Sequence, residues 1–326
     1  MDTGFGTNQL YSACRLTVTH HFADSGLECK PIEGTGFLVE FPSPDTRIGL
    51  VTNRHLTDAT FANEIENRGA TLKSIKVQWW QSKYLLLEYT VADPQPLYYD
   101  SDPLVDVAVI PIAAKTGAPV EIIGTLHGDV EKFMAENSPD GIMFNHAHSW
   151  AYLLECERLW PQLEPGEFVT FPGYPIWYDR LQTRPVLRSG VIASDPQQNH
   201  RYCEGEPTII DGNHQVLFDA FSTNGNSGGP VYVAQRGMAP IDLRIPMGDR
   251  TIVSQGKIIM EGYRRSFLVG INASHCNDTG LPRPNEHAGL SRMHKLSVLM
   301  HILRANEAPP DPDARGIKLL IPAPDR

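Results

Sequence analysis

The sequence predicts an all-β fold, a sandwich or barrels, on three observations. Short apolar or alternating runs recur along the chain, Gly, Pro and Asn/Asp punctuate them, and long stretches of helical period are rare. Many short strands separated by turn signals pack as two sheets or as closed barrels.

In chain order, the first strand candidates are Cys14–His21, Gly36–Phe41 and Gly49–Thr52. Thr57–Asn67 opens with Thr and Asp and reads as a helix. Ile75–Trp80, Tyr84–Val91 and Val105–Ile112 follow as strands, with Trp79 and Trp80 alternating so that one is core and the other rim. Residues 121–162 fit neither period and are expected to form an insertion between two β-rich halves, with a boundary near Leu163–Gly166. Beyond it come Glu167–Phe171, Gly190–Ser194, Val216–Ala220, Val231–Ala234 and Phe267–Ala273. His294–Arg304 places Leu296, Leu299, Met300 and Leu303 on one helical face. The last twenty residues are Pro-rich around the short run Ile317–Ile321, which predicts a docked tail or a strand added to a sheet edge.

Composition narrows the class. With 326 residues, 41% hydrophobic residues, 27 Gly and 26 Pro without a fixed period, the chain is neither collagenous, disordered nor coiled-coil. A net charge of −10 argues against a nucleic-acid partner, which needs a basic surface. No apolar run approaches the roughly 18 residues of a membrane helix, so no membrane partner is expected. The start shows no basic region leading into an apolar run, and a cytoplasmic location is the expectation. Five scattered cysteines without a C-x-x-C pair predict reduced core thiols rather than disulfides.

The segment that speaks of chemistry is Phe218–Tyr232, FDAFSTNGNSGGPVY. A nucleophilic Ser on a tight turn needs small neighbours, so that its hydroxyl is exposed and backbone N–H groups converge on one point. Gly225, Gly228 and Gly229 give Ser227 that freedom, and such a turn would aim the N–H groups of Gly225 and Ser227 at an oxyanion. A Ser hydroxyl also needs a base. His55 closes the apolar run Gly49–His55 just before a helix start. A carboxylate must then orient the imidazole. Asp106 is a lone acid in the apolar segment Leu104–Pro111, where burial without a partner is costly.

Six motifs taken together, Gly34-Thr-Gly-Phe-Leu-Val39, Val51-Thr-Asn-Arg-His55, Asp106-Val-Ala-Val109, Gly190-Val-Ile-Ala-Ser194, Gly225-Asn-Ser-Gly-Gly-Pro230 and Leu268-Val-Gly-Ile271, resemble those of trypsin/chymotrypsin-fold serine proteases. The resemblance runs from about Cys14 to Arg304 and is strongest to the disulfide-free bacterial branch that includes the HtrA-type enzymes. It implies two packed six-stranded β-barrels with a cleft between them and a C-terminal helix. The units would be residues 1–120 with His55 and Asp106, the inter-barrel insertion 121–162, residues 163–293 with Ser227, the helix 294–306 and the tail 307–326. The resemblance makes His55 the base, Asp106 its orienting carboxylate, Ser227 the nucleophile, and the Gly225 and Ser227 amides the oxyanion hole. It places Phe221 at the base of the substrate pocket and His275 and Gly289 on its walls.

Departures qualify the resemblance. Asn226 replaces the Asp that pairs with a newly cleaved N-terminus in digestive members, and no I-V-G-G sequence supplies one, so activation by N-terminal trimming is not expected. Ala273 stands where many members have a Ser bonded to the acid, and no PDZ-like segment follows the second barrel. Without an acid at Phe221, a preference for Arg or Lys is disfavoured. His146 and His148, with His127, lack a third ligand pattern, so no metal and no cofactor is expected. The expected partners are a protein or peptide substrate and an activating protein. The alternative is a protease-fold scaffold whose cleft is not productive.

Overall fold

Alternating residues decide which side of each strand faces the interior. The computed structural model describes residues 7–45, 47–82, 85–92, 94, 96–111, 121–128, 147–200, 214–238, 241–247, 250–258, 261–278, 286–309 and 318–320. After a one-turn helix α1 (Thr7–Leu10), the first half contains β1 (Ala13–Phe22), β2 (Ile32–Glu40), β3 (Ile48–Thr52), the one-turn helices α2 (Arg54–Thr57) and α3 (Ala59–Ala62), β4 (Ala70–Ser82), β5 (Leu85–Ala92), β6 (Tyr98–Tyr99), β7 (Ala108–Pro111) and β8 (Glu121–Gly128). In β1, Cys14, Leu16 and Val18 point inward, while Arg15, Thr17 and Thr19 are partly exposed. They pack with Leu38, Leu50, Ile75, Val77 and Trp79.

The second half begins with the helix α4 (Trp150–Leu159), capped by the Ser149 hydroxyl accepting from the Tyr152 N–H. Then come β9 (Phe168–Gly173), β10 (Val186–Ile192), β11 (Gln215–Asp219), β12 (Pro230–Val233), the hairpin β13 (Ile241–Met247) and β14 (Arg250–Ile258), β15 (Phe267–Asp278), β16 (Glu286–Lys295), the helix α5 (Leu296–Ala305) and the short β17 (Lys318–Leu320). The order β10-β11-β16-β15-β12-β9 closes a six-stranded barrel. A second apolar core runs from Phe37, Val39 and Val109 through Leu153 and Cys156 of α4 to Phe171, Val231 and Leu268 of the barrel. Each such fully buried aliphatic or aromatic side chain contributes about 1.5–3 kcal/mol by leaving water. Among the described residues no helix is long and apolar enough to cross a membrane.

The fold class is the expected one: mostly β, with a closed six-stranded barrel and a C-terminal helix. The first half departs from six strands, because it forms a nine-stranded sheet of order β17-β8-β5-β4-β1-β2-β3-β7-β6. Glu121–Gly128, expected inside the insertion, pairs antiparallel with β5 and so extends that sheet. The tail strand Lys318–Leu320 adds in parallel to β8 at the sheet edge. Trp150–Leu159 of the expected insertion forms the helix α4, while residues 129–146 of the insertion and 310–317 and 321–326 of the tail lie outside the described residues, as do Ile112 and Cys203.

Other local expectations are corrected. Thr57–Asn67 is not one helix: Asp58 is extended, and its carboxylate accepts from the Phe61 N–H, capping α3 and ending α2. The last helix starts at Leu296, since His294 and Lys295 are held in β16 by pairing with β11 and β15. Its Leu296, Leu299, Met300 and Leu303 are all buried. Trp80 is not at the rim, for its indole N–H donates to the Thr183 carbonyl at 2.8 Å and the Arg184 guanidinium lies 4.2 Å over its ring. A buried polar chain joins the halves: the Tyr232 hydroxyl lies 2.7 Å from both Ser12 Oγ and His148 Nε2.

Candidate active site

The end of β3 sets the first group. Asn53 has extended backbone, and the single turn of α2 begins at Arg54, which places His55 at the first bend of the chain. His55 donates its backbone N–H to Asp106 Oδ1 at 2.8 Å, and its Nδ1 lies 2.7 Å from Asp106 Oδ2. A carboxylate only accepts, so Nδ1 carries the proton and Nε2 presents a lone pair. The pair is shielded but reachable, with 26% of the His55 side chain and 14% of the Asp106 side chain exposed.

Asp106 lies just before β7 rather than within a strand, between the fully buried Val105 and Val107. Its carbonyl accepts from Asn53 Nδ2 at 2.6 Å, and its N–H donates to His294 Nε2 at 3.1 Å. Both peptide groups flanking its Cα are therefore tethered. Ala273, buried in β15, has no hydroxyl to offer the acid.

The third group sits on the turn after β11. Gly225 and Gly228 take positive φ of 94° and 85°. A Cβ on Gly225 would stand 2.3 Å from the Tyr174 carbonyl, and one on Gly228 would stand 2.3 Å from both the Thr35 carbonyl and Thr52 Oγ1. No other residue fits either place.

The turn's backbone groups are almost all spoken for. The Asn226 N–H donates to the Thr223 carbonyl, Gly228 to Asn272 and Gly229 to Asn226. The carbonyls of Gly225 and Ser227 accept from the Thr35 hydroxyl and N–H at 2.6 and 2.9 Å. Among the described residues, the Gly225 and Ser227 N–H groups find no protein acceptor. These are the two amides expected at the oxyanion hole.

Thr35 and Thr52 link the Ser227 turn to the His55 turn, because Gly228 packs on Thr52, three residues before His55. Ser227 is partly exposed between buried neighbours. Among the described residues neither its Oγ nor His55 Nε2 is engaged in a hydrogen bond.

The pocket residues converge in backbone. The Ser291 hydroxyl donates to the Ala220 carbonyl and accepts from the Ser222 N–H, bracketing Phe221, which is 55% exposed. The Gly289 carbonyl accepts from the Ala220 N–H, and His275 pairs with Ser291 across β15 and β16. Asn226 is only 1% exposed and lies against Gly173; among the described residues neither polar atom of its amide has a partner. An uncharged amide at this place needs no counter-charge.

Thr35, Asn53, Asn272 and His294 are not singled out as site residues by the sequence. Asn53 stood within the V-T-N-R-H run and could have been found there, whereas His294 lies 188 positions from Asp106 with no local signal. Among the described residues no three His, Cys, Asp or Glu side chains gather as metal ligands. His148 bonds to Tyr232 instead, and His146 lies outside the described residues.

No family model matches the sequence, and no curated protein is similar to it. Among solved structures, the chain is similar to the crystal structure of AL20, a thermostable serine protease from an extremophilic microorganism, at 12% identity over 91% of this chain and 98% of that one, with a TM-score of 0.41. A likeness of that degree says nothing about activity.

Proposed function

We propose that this chain is a serine endopeptidase, with Ser227 as nucleophile, His55 as general base and then acid, and Asp106 as the orienting carboxylate. The observation that carries the reading is the turn around Ser227, in which Gly225 and Ser227 keep N–H groups without an acceptor among the described residues, packed through Gly228 on Thr52, three residues before a histidine whose Nδ1 meets a carboxylate.

Ser227 Oγ attacks the scissile carbonyl carbon while His55 Nε2 takes its proton. The carbonyl π electrons move to oxygen, and the two amides stabilise that charge. Asp106 stabilises the imidazolium through the Nδ1–H bond. Collapse of the intermediate breaks the C–N bond, and His55 returns the proton to the leaving amine. Water, deprotonated by the same Nε2, then releases the acyl group from Ser227. The reading needs a protein or peptide substrate and calls for no cofactor.

Intact mass after treatment with a fluorophosphonate tests this. Wild type should gain one phosphonyl adduct and Ser227→Ala none, with matching circular dichroism. A folded wild type that takes no adduct would favour the non-productive scaffold.

A further inference from the structure

Asp106 is aimed by its backbone as well as by its carboxylate's bonds. It precedes β7 and lacks a ladder of its own, so the orientation of its side chain depends on the Asn53 bond to its carbonyl and the His294 bond to its N–H. His294 is fully buried in β16, in register with Gln215 of β11 and Ile271 of β15. A backbone N–H can only donate, so Nε2 of His294 is the unprotonated nitrogen and Nδ1 carries the hydrogen. Burial keeps the ring neutral: it pulls the pKa down to about 4, against the opposing pull of Asp106 and Asp100.

A second feature of the same strand points the same way. Arg292 shares a face of β16 with His294 and donates from Nε to Ser274 Oγ at 3.0 Å. Its charge is attracted by Asp106, which offsets part of the cost of burying it.

We propose that His294 is a positioning residue: its Nε2 fixes the Asp106 backbone so that the two carboxylate oxygens meet the two N–H groups of His55. Its kinetic consequence rests on the protease reading, while its geometric content does not.

The test uses full-length wild type, His294→Leu and His294→Gln. In wild type, ¹⁵N-resolved NMR should find His294 protonated on Nδ1 at neutral pH, and a low-field proton for the His55–Asp106 bond. Saturable fluorophosphonate inactivation should show His294→Leu losing about 10- to 100-fold in kinact with KI nearly unchanged, together with the low-field proton. His294→Gln, whose amide oxygen can replace Nε2, should restore both. Protonation of His294 on Nε2, or a Leu variant that keeps both kinact and the low-field proton, would overturn the proposal. Should His294→Leu not fold, the tautomer and the Gln variant decide: a folded Gln variant that loses kinact overturns it. A wild type inert to the fluorophosphonate refutes the protease reading instead, and the two NMR signals still judge His294.

Discussion

His55 and Asp106 are joined twice, through the backbone N–H of His55 to Oδ1 at 2.8 Å and its Nδ1 to Oδ2 at 2.7 Å. The double attachment fixes both the place and the tautomer of the imidazole, a stronger constraint than one ring bond provides.

Asp106→Asn keeps the shape of that attachment but turns one accepting oxygen into a donating NH₂. If the NH₂ faces His55, the proton moves to Nε2 and the base is lost. The expected outcome is a fall of roughly 10⁴-fold in acylation rate at neutral pH with unchanged circular dichroism, measured by fluorophosphonate labelling. A variant that labels at the wild-type rate would contradict the assigned role.

Gly228→Ala puts a methyl 2.3 Å from the Thr35 carbonyl and Thr52 Oγ1 at a φ of 85°. The left-handed backbone alone costs about 1–2 kcal/mol, and the clash is with the Thr35 backbone carbonyl as well as the Thr52 hydroxyl. Thermal unfolding should shift down by several degrees and labelling at Ser227 should collapse. An unchanged melting temperature would show the turn to be more pliant than its packing implies.

His294 links stability to pH. Its folded pKa of about 4 lies below the ordinary 6.5, so between these values the unfolded chain binds the proton and the native chain does not. The contribution is fully present above pH 6.5 and is lost as pH falls towards 4, by roughly 3 kcal/mol. Asp106, Arg292, His214 and Asp100 all act on this ring. Urea titrations at pH 7.5 and 4.5 should show a smaller loss on acidification in His294→Gln than in wild type; equal losses would contradict the assignment.

Tyr232→Phe interrupts a directed chain. Ser12 Oγ donates to the Gln9 carbonyl, so the Tyr232 hydroxyl must donate to Ser12 and accept from His148 Nε2–H. Removing it takes the acceptor from His148 and should cost about 1–3 kcal/mol in urea denaturation, with no change in the labelling rate of Ser227. A large rate change would mean that this chain couples to the site.

Much of the candidate site was legible because the proposed chemistry is tied to local pattern. A Gly-flanked Ser, a His at the end of an apolar run and an Asp among valines each break the expectation for a purely structural residue. What was not legible depends on partners distant in sequence. Trp80 reads as rim until Thr183 and Arg184 cover it, and Asp58 reads as helical until its carboxylate caps the next turn. Among the described residues the hairpin of β13 and β14 pairs only with itself, and it left no mark strong enough to separate it from loop. Strand count was under-read for a related reason: Glu121–Gly128 and Lys318–Leu320 join the sheet by pairing at its edge, which sequence periodicity does not record.

The hydroxyl of Thr35, on β2, accepts from the Tyr174 N–H of the second half at 3.0 Å and donates its own hydrogen bond to the Gly225 carbonyl. One oxygen atom thus acts as an interlock between the two halves and the peptide unit that follows Gly225. Slippage between the halves is transmitted to the Ser227 turn as well as to the apolar core they share. Reactivity should therefore report alignment: a molecule whose halves are nicked apart or mismatched would fall silent while still passing for folded.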